Sequence, residues 1–546
     1  MDINIEKTQA YQEDQYYQAY KKWLDDNGCI CPNLEYPVAF YEEGIIGATA
    51  KTDIPPNKAY VFVPYNLCIS IQKAKTSEIS HIFKKRFFTQ HSRANDHILW
   101  VFILYEKLKG TESFWYPYFK TLKGFSNIIE WSDEELSELQ DKLLVYDNLK
   151  WKNRIERIWK SIYGIIKNYP EYFPLEKNLY SEFMWSWLVC CTRGYSWEGG
   201  MLIPMADNLN HGIIYTSYHG EEKNTLRTLA ENKTTDIDYT DFLGIEVKYD
   251  IQVDKRTNKN RLEKLLEKSD MPEIKNVWEL NQILEGYRSS SSEDDERIVA
   301  ECTSEEESPY DEDDELQEEF KDLNENYFLM STGVRTCFKK GEQVLNSYGR
   351  LSNRNLLLDY GFALPENRYD SVFFFLWLPR SGREGLVKIE DIEAKSDEYL
   401  YCTELFRLKP KRLNIDVFIY YREGMKNEPI KNFPSDINVE LEIIDCFLNI
   451  CFKLYEGFDT SLEYDIELLK TKCSPRLQGA LNYRINQKKI VLNQIKMLET
   501  LRDLLEDIKN GKDISTHAKG KSSQEIMDLY PLRNYLRALE GYLKKI

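Results

Sequence analysis

Three short stretches hold the polar residues whose types and spacing could do chemistry. The first is Glu43-Gly44-Ile45-Ile46-Gly47-Ala48. The second runs Cys191-Thr192-Arg193-Gly194-Tyr195 and resumes as Leu202-Ile203-Pro204-Met205-Ala206-Asp207-Asn208-Leu209-Asn210-His211. The third is Gly341-Glu342-Gln343-Val344-Leu345-Asn346-Ser347-Tyr348-Gly349, continuing to Asn353 and then Leu358-Asp359-Tyr360-Gly361-Phe362. Taken singly each fits a structural role, a tight turn for Gly44 and Gly47, a bonded pair for Asn210 and His211. More familiar chemistries have no anchor. No GxGxxG follows a strand, and Gly520-Lys521-Ser522 lacks both the first glycine of a phosphate loop and a strand before it. The six histidines include no HExxH, the cysteines lack zinc-ligand spacing, and no GxSxG elbow occurs, so no metal site is expected.

Together and in this order, the three stretches resemble a SET domain of the Rubisco large-subunit methyltransferase-like class. Ser113-Phe114-Trp115-Tyr116-Pro117-Tyr118, followed by Trp131, is similar to the helical insert of that class. The resemblance covers about three quarters of the chain, all but a charged insertion and both tips. It implies an α+β protein: a SET β-fold with a pseudoknot, a helical insertion and an all-α C-terminal domain. It also implies transfer of a methyl group from S-adenosyl-L-methionine to a protein side chain, usually a lysine amine.

The residues make physical sense of that chemistry. The donor carries an ammonium, a carboxylate, a sulfonium and an adenine. A glycine turn lets backbone groups approach its amino-acid end, as Gly44, Ile45 and Ile46 would. Arg193 offers a planar donor fork for the carboxylate. Asn210 and His211 match the family's Asn-His pair, which would meet the ammonium and the adenine. Methyl transfer is an in-line displacement that needs a neutral nucleophile about 3–3.5 Å from the methyl carbon. A dry channel lined by tyrosine lowers an amine's pKa and orients it. Tyr348 matches the catalytic tyrosine and Tyr360 the second channel tyrosine, while Tyr195 and Asp207 match positions that contact the substrate. An aromatic wall at Tyr195 suits a lysine stem and its ammonium, whereas a histidine acceptor would want a polar group on one ring nitrogen. Lysine is therefore the expected acceptor, with histidine the alternative, as in the actin-directed branch of the class. A catalytically inactive binding protein is a further alternative, disfavoured by the intact set Arg193, Asn210, His211 and Tyr348. Two departures stand out: Ile45 replaces the first Gly of a Gly-x-Gly pair, and Leu122-Lys123 replaces a Leu-Pro.

The elements that must position these residues follow from periodicity. Ala59 to Pro64 reads as a strand closed by proline, with Gly44 and Gly47 marking a tight loop before it. From Lys75 to Trp187 the pattern is helical; Ile98, Leu99, Phe102, Tyr105 and Leu108 share one face. Ser132 followed by Glu135 is a capping-box signature. Near the C-terminus, Ser435 is expected to cap a helix bearing Val439, Ile443, Phe447 and Ile450. A longer helix after Pro475 carries Leu481, Ile485, Leu492, Ile495, Leu498, Leu501, Leu505 and Ile508. Set on these elements, the resemblance implies an N-terminal SET part over 20–74, a helical insertion over 75–187, a C-terminal SET part over 188–370, and a helical substrate-binding domain over 380–546. A charged insertion, disordered in its second half, is expected at about 219–326.

Composition bounds the rest. The 546 residues are 42% hydrophobic and 13% aromatic, ample for packed cores. The formal net charge is −18, and residues 293–319 hold fifteen Asp or Glu against one Arg, so most of the acidity belongs to one segment. An acidic chain is a poor nonspecific nucleic-acid binder. Eleven cysteines without repeated spacing read as reduced thiols, and no apolar run approaches the ~20 residues that span a bilayer. The expectation is an intracellular protein, cytoplasmic or nuclear, acting as a monomer on a protein substrate, with no direct nucleic-acid or membrane partner.

Overall fold

A computed structural model describes residues 3–219 apart from 43, 57, 91–92, 124–125, 196–199 and 215. It further describes 227–228, 327–349 apart from 333–335, 351–378, 383, 385–388, 403–426 apart from 411, 436–511, and positions 532, 535, 536 and 539. The acidic run 293–319 and Ser435 lie outside the described residues.

The strands are β1 (Leu34–Phe40), β2 (Ile45–Ala50), β3 (Ala59–Pro64), β4 (Ile69–Ser70), β5 (Gly194–Tyr195), β6 (Met201–Leu202), β7 (Asn210–His211), β8 (Thr216–His219), β9 (Arg227–Thr228), β10 (Tyr327–Thr332), β11 (Gln343–Asn346), β12 (Val372–Trp377) and β13 (Thr403–Leu408). They form small sheets ordered β1-β2-β11-β7, β3-β10-β8-β9, β4-β6-β5 and β12-β13. The first order matters most for function. Strand β11 lies between β2 and β7, antiparallel to β2 through Gln343↔Thr49 and Val344↔Ala48, and parallel to β7 through Leu345↔Asn210 and Asn346↔His211. Segments separated by about 300 and 135 residues thus meet in one sheet. Loop-closure entropy grows only logarithmically with length, so the long excursion between β7 and β11 does not forbid this.

Helices α1 (Ile5–Glu13), α2 (Gln15–Asp26), α3 (Ile71–Thr76), α4 (Arg86–Gln90), α5 (Ala94–Leu108), α6 (Tyr116–Thr121), α7 (Asp133–Ser137), α8 (Lys142–Ile166) and α9 (Leu179–Arg193) surround these sheets. Their starts are chemically marked. Asp14 accepts from the amides of Tyr16 and Tyr17, Asp141 from Leu144, and Asn178 from Ser181. Such side-chain caps contribute about 1 kcal/mol each. The capping box of Ser132 and Glu135 is present at α7. Helix α5 departs from the one-faced reading: His97 through Glu106 are all buried, so it runs through the core with neighbours on every side. The main core joins Val61, Val63, Ile69, Ile103, Leu104, Val189 and Leu202 from both strand and helix segments.

Beyond β11, a short helical turn at Asn353–Asn355 runs into a wider turn over Leu356–Tyr360. The C-terminal elements are α10 (Asp416–Lys426), α11 (Ile437–Glu456), α12 (Leu462–Leu469) and α13 (Pro475–Lys509). Helix α11 is capped by Asp436, which accepts from Asn438 and Val439, one residue later than the serine expected. Aspartate is as strong a cap as serine and stands nearer the first helical residue. Helix α13 begins at Pro475, near the start expected, with Pro475 at the first helical position; its cap, Ser474, accepts from Leu477. Its apolar stripe packs with Ile443, Phe447 and Cys451 of α11 and with Leu376, Phe406 and Leu408 of the β12-β13 pair. A smaller cluster of Trp131, Leu144, Leu357, Ala480 and Tyr483 joins the α7-α8 region to the turn after β11 and to α13. None of the described helices is long and apolar enough to cross a membrane.

Candidate active site

Arg193 is the last residue of α9, and the chain leaves that helix through Gly194. A Cβ on Gly194 would stand 2.4 Å from the Cys190 carbonyl oxygen, so a side chain there would force the exit to change. The guanidinium of Arg193 donates to the Asp207 carbonyl at 2.7 Å and lies 3.9 Å from its carboxylate. Asp207 sits in a tight turn that opens with Met205 at φ 75°, a left-handed value unusual for a side-chain-bearing residue. Tyrosines hold that turn. The Met205 amide donates to the Tyr20 hydroxyl at 2.8 Å, which donates onward to Asn208 Oδ1 at 3.2 Å. Asn208 Nδ2 donates to the Tyr36 hydroxyl at 3.0 Å, and the Tyr118 hydroxyl donates to Asp207 Oδ2.

The Asp207 carboxylate is fully buried. Burial raises its pKa to about 6, opposed by the Arg193 charge and the Tyr118 hydrogen bond. Its Oδ1 has no hydrogen-bond partner among the described residues, and neither has Arg193 Nε, although both are buried. Orphaned polar atoms cost on the order of 1–3 kcal/mol each. Arg193 and Asp207 thus form a largely buried pair of opposite charge.

Asn210 and His211 lie on β7, beside β11. Asn210 Nδ2 donates to the Ile46 carbonyl at 3.1 Å, tying the first stretch to the second. His211 Nδ1 accepts from the Tyr348 amide at 3.1 Å, so the proton of the neutral ring is on Nε2. Burial lowers the His211 pKa to about 4, so the ring is uncharged at neutral pH. The Tyr348 hydroxyl donates to the Leu209 carbonyl at 2.9 Å, and burial pushes its pKa up to about 12. Its ring stacks on His211 at 5.0 Å between centroids and lies 4.8 Å from Tyr360, an aromatic wall continued by Phe362. Tyr195 accepts from Asn346 Nδ2 at 3.0 Å and packs edge-on against Phe328. Among the described residues no group of three or more His, Cys, Asp or Glu is placed to hold a metal ion.

The structure brings Ile46, Arg193, Tyr195, Asp207, Asn210, His211, Tyr348 and Tyr360 into one contiguous region. Gly44 stands apart from that network. It makes the β1-β2 turn with φ 77°, and its carbonyl receives the Tyr11 hydroxyl of α1 at 3.5 Å. Ile45 is half exposed. Gly47 belongs to strand β2, not to the loop: a Cβ there would stand 2.7 Å from Asn210 Nδ2 and 3.1 Å from Gln343 Nε2. Gly47→Ala is therefore expected to destabilise the fold by about 1–3 kcal/mol in denaturant unfolding, through overpacking at the Asn210–Ile46 bond. Gly164→Ala, within α8 where nothing lies within 4 Å, should instead stabilise by roughly 0.5–1 kcal/mol. The tyrosines Tyr20, Tyr36 and Tyr118 carry no sequence spacing that marks them, since they come from three separate elements. Only Tyr118 lies in a stretch the sequence singled out.

No family model matches the chain. Curated relatives include actin-histidine N-methyltransferases of Callithrix jacchus and Mus musculus, both 28% identical over 222 residues, and of Homo sapiens, 27% identical. The matched segment spans 38% of this chain and 36% of those relatives' length. Among solved structures, the SET domain of LSMT bound to lysine and AdoHcy superposes with a TM-score of 0.54 at 19% identity, covering 90% of this chain and 92% of that one. Rubisco LSMT bound to sinefungin and monomethyllysine gives 0.53 at 18%, covering 90% and 94%. With β11 set between β2 and β7, mixed strands and helices throughout, and this likeness over nine tenths of its length, the chain has an α+β fold like that of the SET domain of LSMT.

Proposed function

We propose that the protein is an S-adenosyl-L-methionine-dependent methyltransferase acting on the side-chain amine of lysine in another protein. The observation that carries the reading is the convergence of Arg193, Asn210, His211 and Tyr348, with the Arg193 guanidinium 3.9 Å from the buried Asp207 carboxylate. S-adenosyl-L-methionine would supply a methyl group activated by its sulfonium. Arg193 would hold the cofactor's carboxylate through its free fork nitrogen. Asn210 and His211 would contribute polar groups from β7, with the Asn210 side chain already oriented by Ile46. Ile46 would line the same end, while Gly44 and Ile45 act at one remove by shaping the turn. These residues fit the cofactor, and the relatives' and neighbours' names accord with it.

On the acceptor side, Tyr348, Tyr360 and His211 form an uncharged aromatic surface that disfavours a protonated amine. The Tyr348 oxygen keeps lone pairs free to orient the amine and the methyl group. Tyr195 supports lysine over histidine: its hydroxyl is engaged with Asn346, leaving the ring as an apolar wall for an aliphatic stem. The curated relatives favour the second reading, a histidine acceptor. Tritiated methyl transfer into lysate from cells lacking the protein, followed by mass spectrometry of the labelled residue, separates the two. Label on lysine is expected; label on a histidine ring would overturn the acceptor, and no label with bound cofactor would overturn catalysis. The target protein is proposed only as a lysine-containing segment of a protein. The domain boundaries given by the sequence, a monomeric state and an intracellular setting belong to the same proposal.

A further inference from the structure

Tyr118 comes from helix α6, outside the three stretches that form the site, yet it reaches the carboxylate that faces Arg193. Its hydroxyl donates to Asp207 Oδ2, and its ring lies 5.9 Å from that of Tyr20, the residue that holds both ends of the Met205–Asn208 turn. Both phenols are fully buried. Two helices packed against each other, α2 and α6, therefore each supply a tyrosine that holds the turn. The consequence falls on Arg193, whose guanidinium is bound to that turn through the Asp207 carbonyl and faces its carboxylate.

We propose that Tyr118 is a positioning residue for cofactor binding: it holds Asp207, Asp207 fixes Arg193, and affinity for the methyl donor therefore follows the charge on Asp207. The inference rests on the cofactor reading given above and deepens it. The donor as a whole is a cation, because its ammonium and sulfonium outnumber its carboxylate. An ionised Asp207 balances that excess and keeps the guanidinium aimed; a neutral Asp207 leaves a buried arginine without its counter-charge. Only one group in this cluster changes charge near neutrality. Asp207 is faced by Arg193 from α9, Tyr118 from α6, Tyr20 from α2, Tyr36 from β1 and Tyr348 after β11. Burial raises the pKa of each of these four phenols, and burial holds His211 down at about 4. Asp207, at about 6, titrates alone between pH 5 and 8.

The test is calorimetric titration of the full-length protein with S-adenosyl-L-methionine at pH 5.5 to 8. For the unaltered protein, affinity should fall about three-fold or more from pH 7.5 to 5.5 as Asp207 takes up a proton. Asp207→Asn should bind weakly with a flat profile. Tyr118→Phe removes a hydrogen bond that favours the ionised carboxylate, so the midpoint should move up toward neutrality and affinity at pH 7 should drop. In the Asp207→Asn background, Tyr118→Phe should leave the profile flat. Circular dichroism checks folding. Should Tyr118→Phe fail to fold, 3-fluorotyrosine at position 118, a stronger donor of the same shape, should move the midpoint down. A purely packing role for Tyr118 would lower stability but leave the midpoint in place. A profile that varies less than two-fold in the unaltered protein, or one that superimposes with and without the Tyr118 change, overturns the inference while leaving the cofactor reading intact. Absence of any binding overturns both.

Discussion

Tyr348→Phe is expected to lower methyl transfer by about 100-fold or more while leaving the fold and cofactor binding nearly unchanged. The hydroxyl removed makes one hydrogen bond, to the Leu209 carbonyl, whose net contribution to stability is on the order of 1 kcal/mol. The ring itself stays stacked between His211 and Tyr360, so the aromatic surface survives the change. What is lost is the only polar atom of that side chain, in a setting where desolvation strengthens every dipole. A rate effect far larger than the stability effect is the signature of a group that matters most in the transition state. Initial rates of tritium transfer, with thermal melting and cofactor titration as controls, decide the matter. A rate within three-fold of the unaltered protein would remove Tyr348 from the chemistry. The pH dependence of the rate is also constrained. Tyr348 is pushed up to about 12 and His211 down to about 4, so neither changes charge between pH 7 and 9. A rise in rate over that window should report the acceptor amine losing its proton.

The stretches that the sequence singled out, and that the structure brings together, are short, ordered strings of polar and aromatic residues. Arg193, Asn210, His211 and Tyr348 each sit at or beside a strand end, and their order along the chain carried the resemblance. The local signals also held where one residue type dominates the geometry: Ser132 with Glu135 at α7, and Pro475 at the start of α13. What escaped was set by tertiary packing. Gly47 looked like a turn glycine because Gly44 lies three residues before it; its real constraint is the Asn210 side chain arriving from 163 residues away. Helix α5 looked one-faced because its apolar spacing is helical, yet polar His97 and Glu106 are buried as well. Glu106 is satisfied by the Ser113 hydroxyl and Lys109, partners that no periodicity rule anticipates. Asp207 reads as a substrate contact from its position in the string, whereas its carboxylate faces inward, onto Tyr118 and Arg193. The hydroxyl that turns it inward lies 89 residues away.

Arg354→Met should be among the most damaging single changes to stability, costing about 3–5 kcal/mol and lowering the melting temperature by roughly 5–10 °C. Arg354 is 1% exposed, six residues after Tyr348 and six before Tyr360. It pairs with Asp147 in the interior of α8 and with Asp141, the cap of the same helix, at 3.4 Å. Asp141 in turn accepts from the Tyr483 hydroxyl of α13. One guanidinium thus ties the segment carrying the aromatic wall to the α7-α8 region and to the long C-terminal helix, beside the apolar junction of Trp131, Leu357 and Ala480. The cost arises less from the lost attraction than from the carboxylate left behind. Burial already raises the Asp147 pKa, against the opposing charge of Arg354. Without that charge, folding would favour the protonated acid still more strongly. The folded state of the variant then binds a proton that the unfolded state has released, so its stability must fall as pH rises. The loss in melting temperature should accordingly be smaller at pH 5.5 than at pH 8. Adding Asp147→Asn should recover part of it, because the amide removes the buried charge while keeping the shape. A loss independent of pH, with no recovery in the double variant, would mean that methionine simply packs badly at this position.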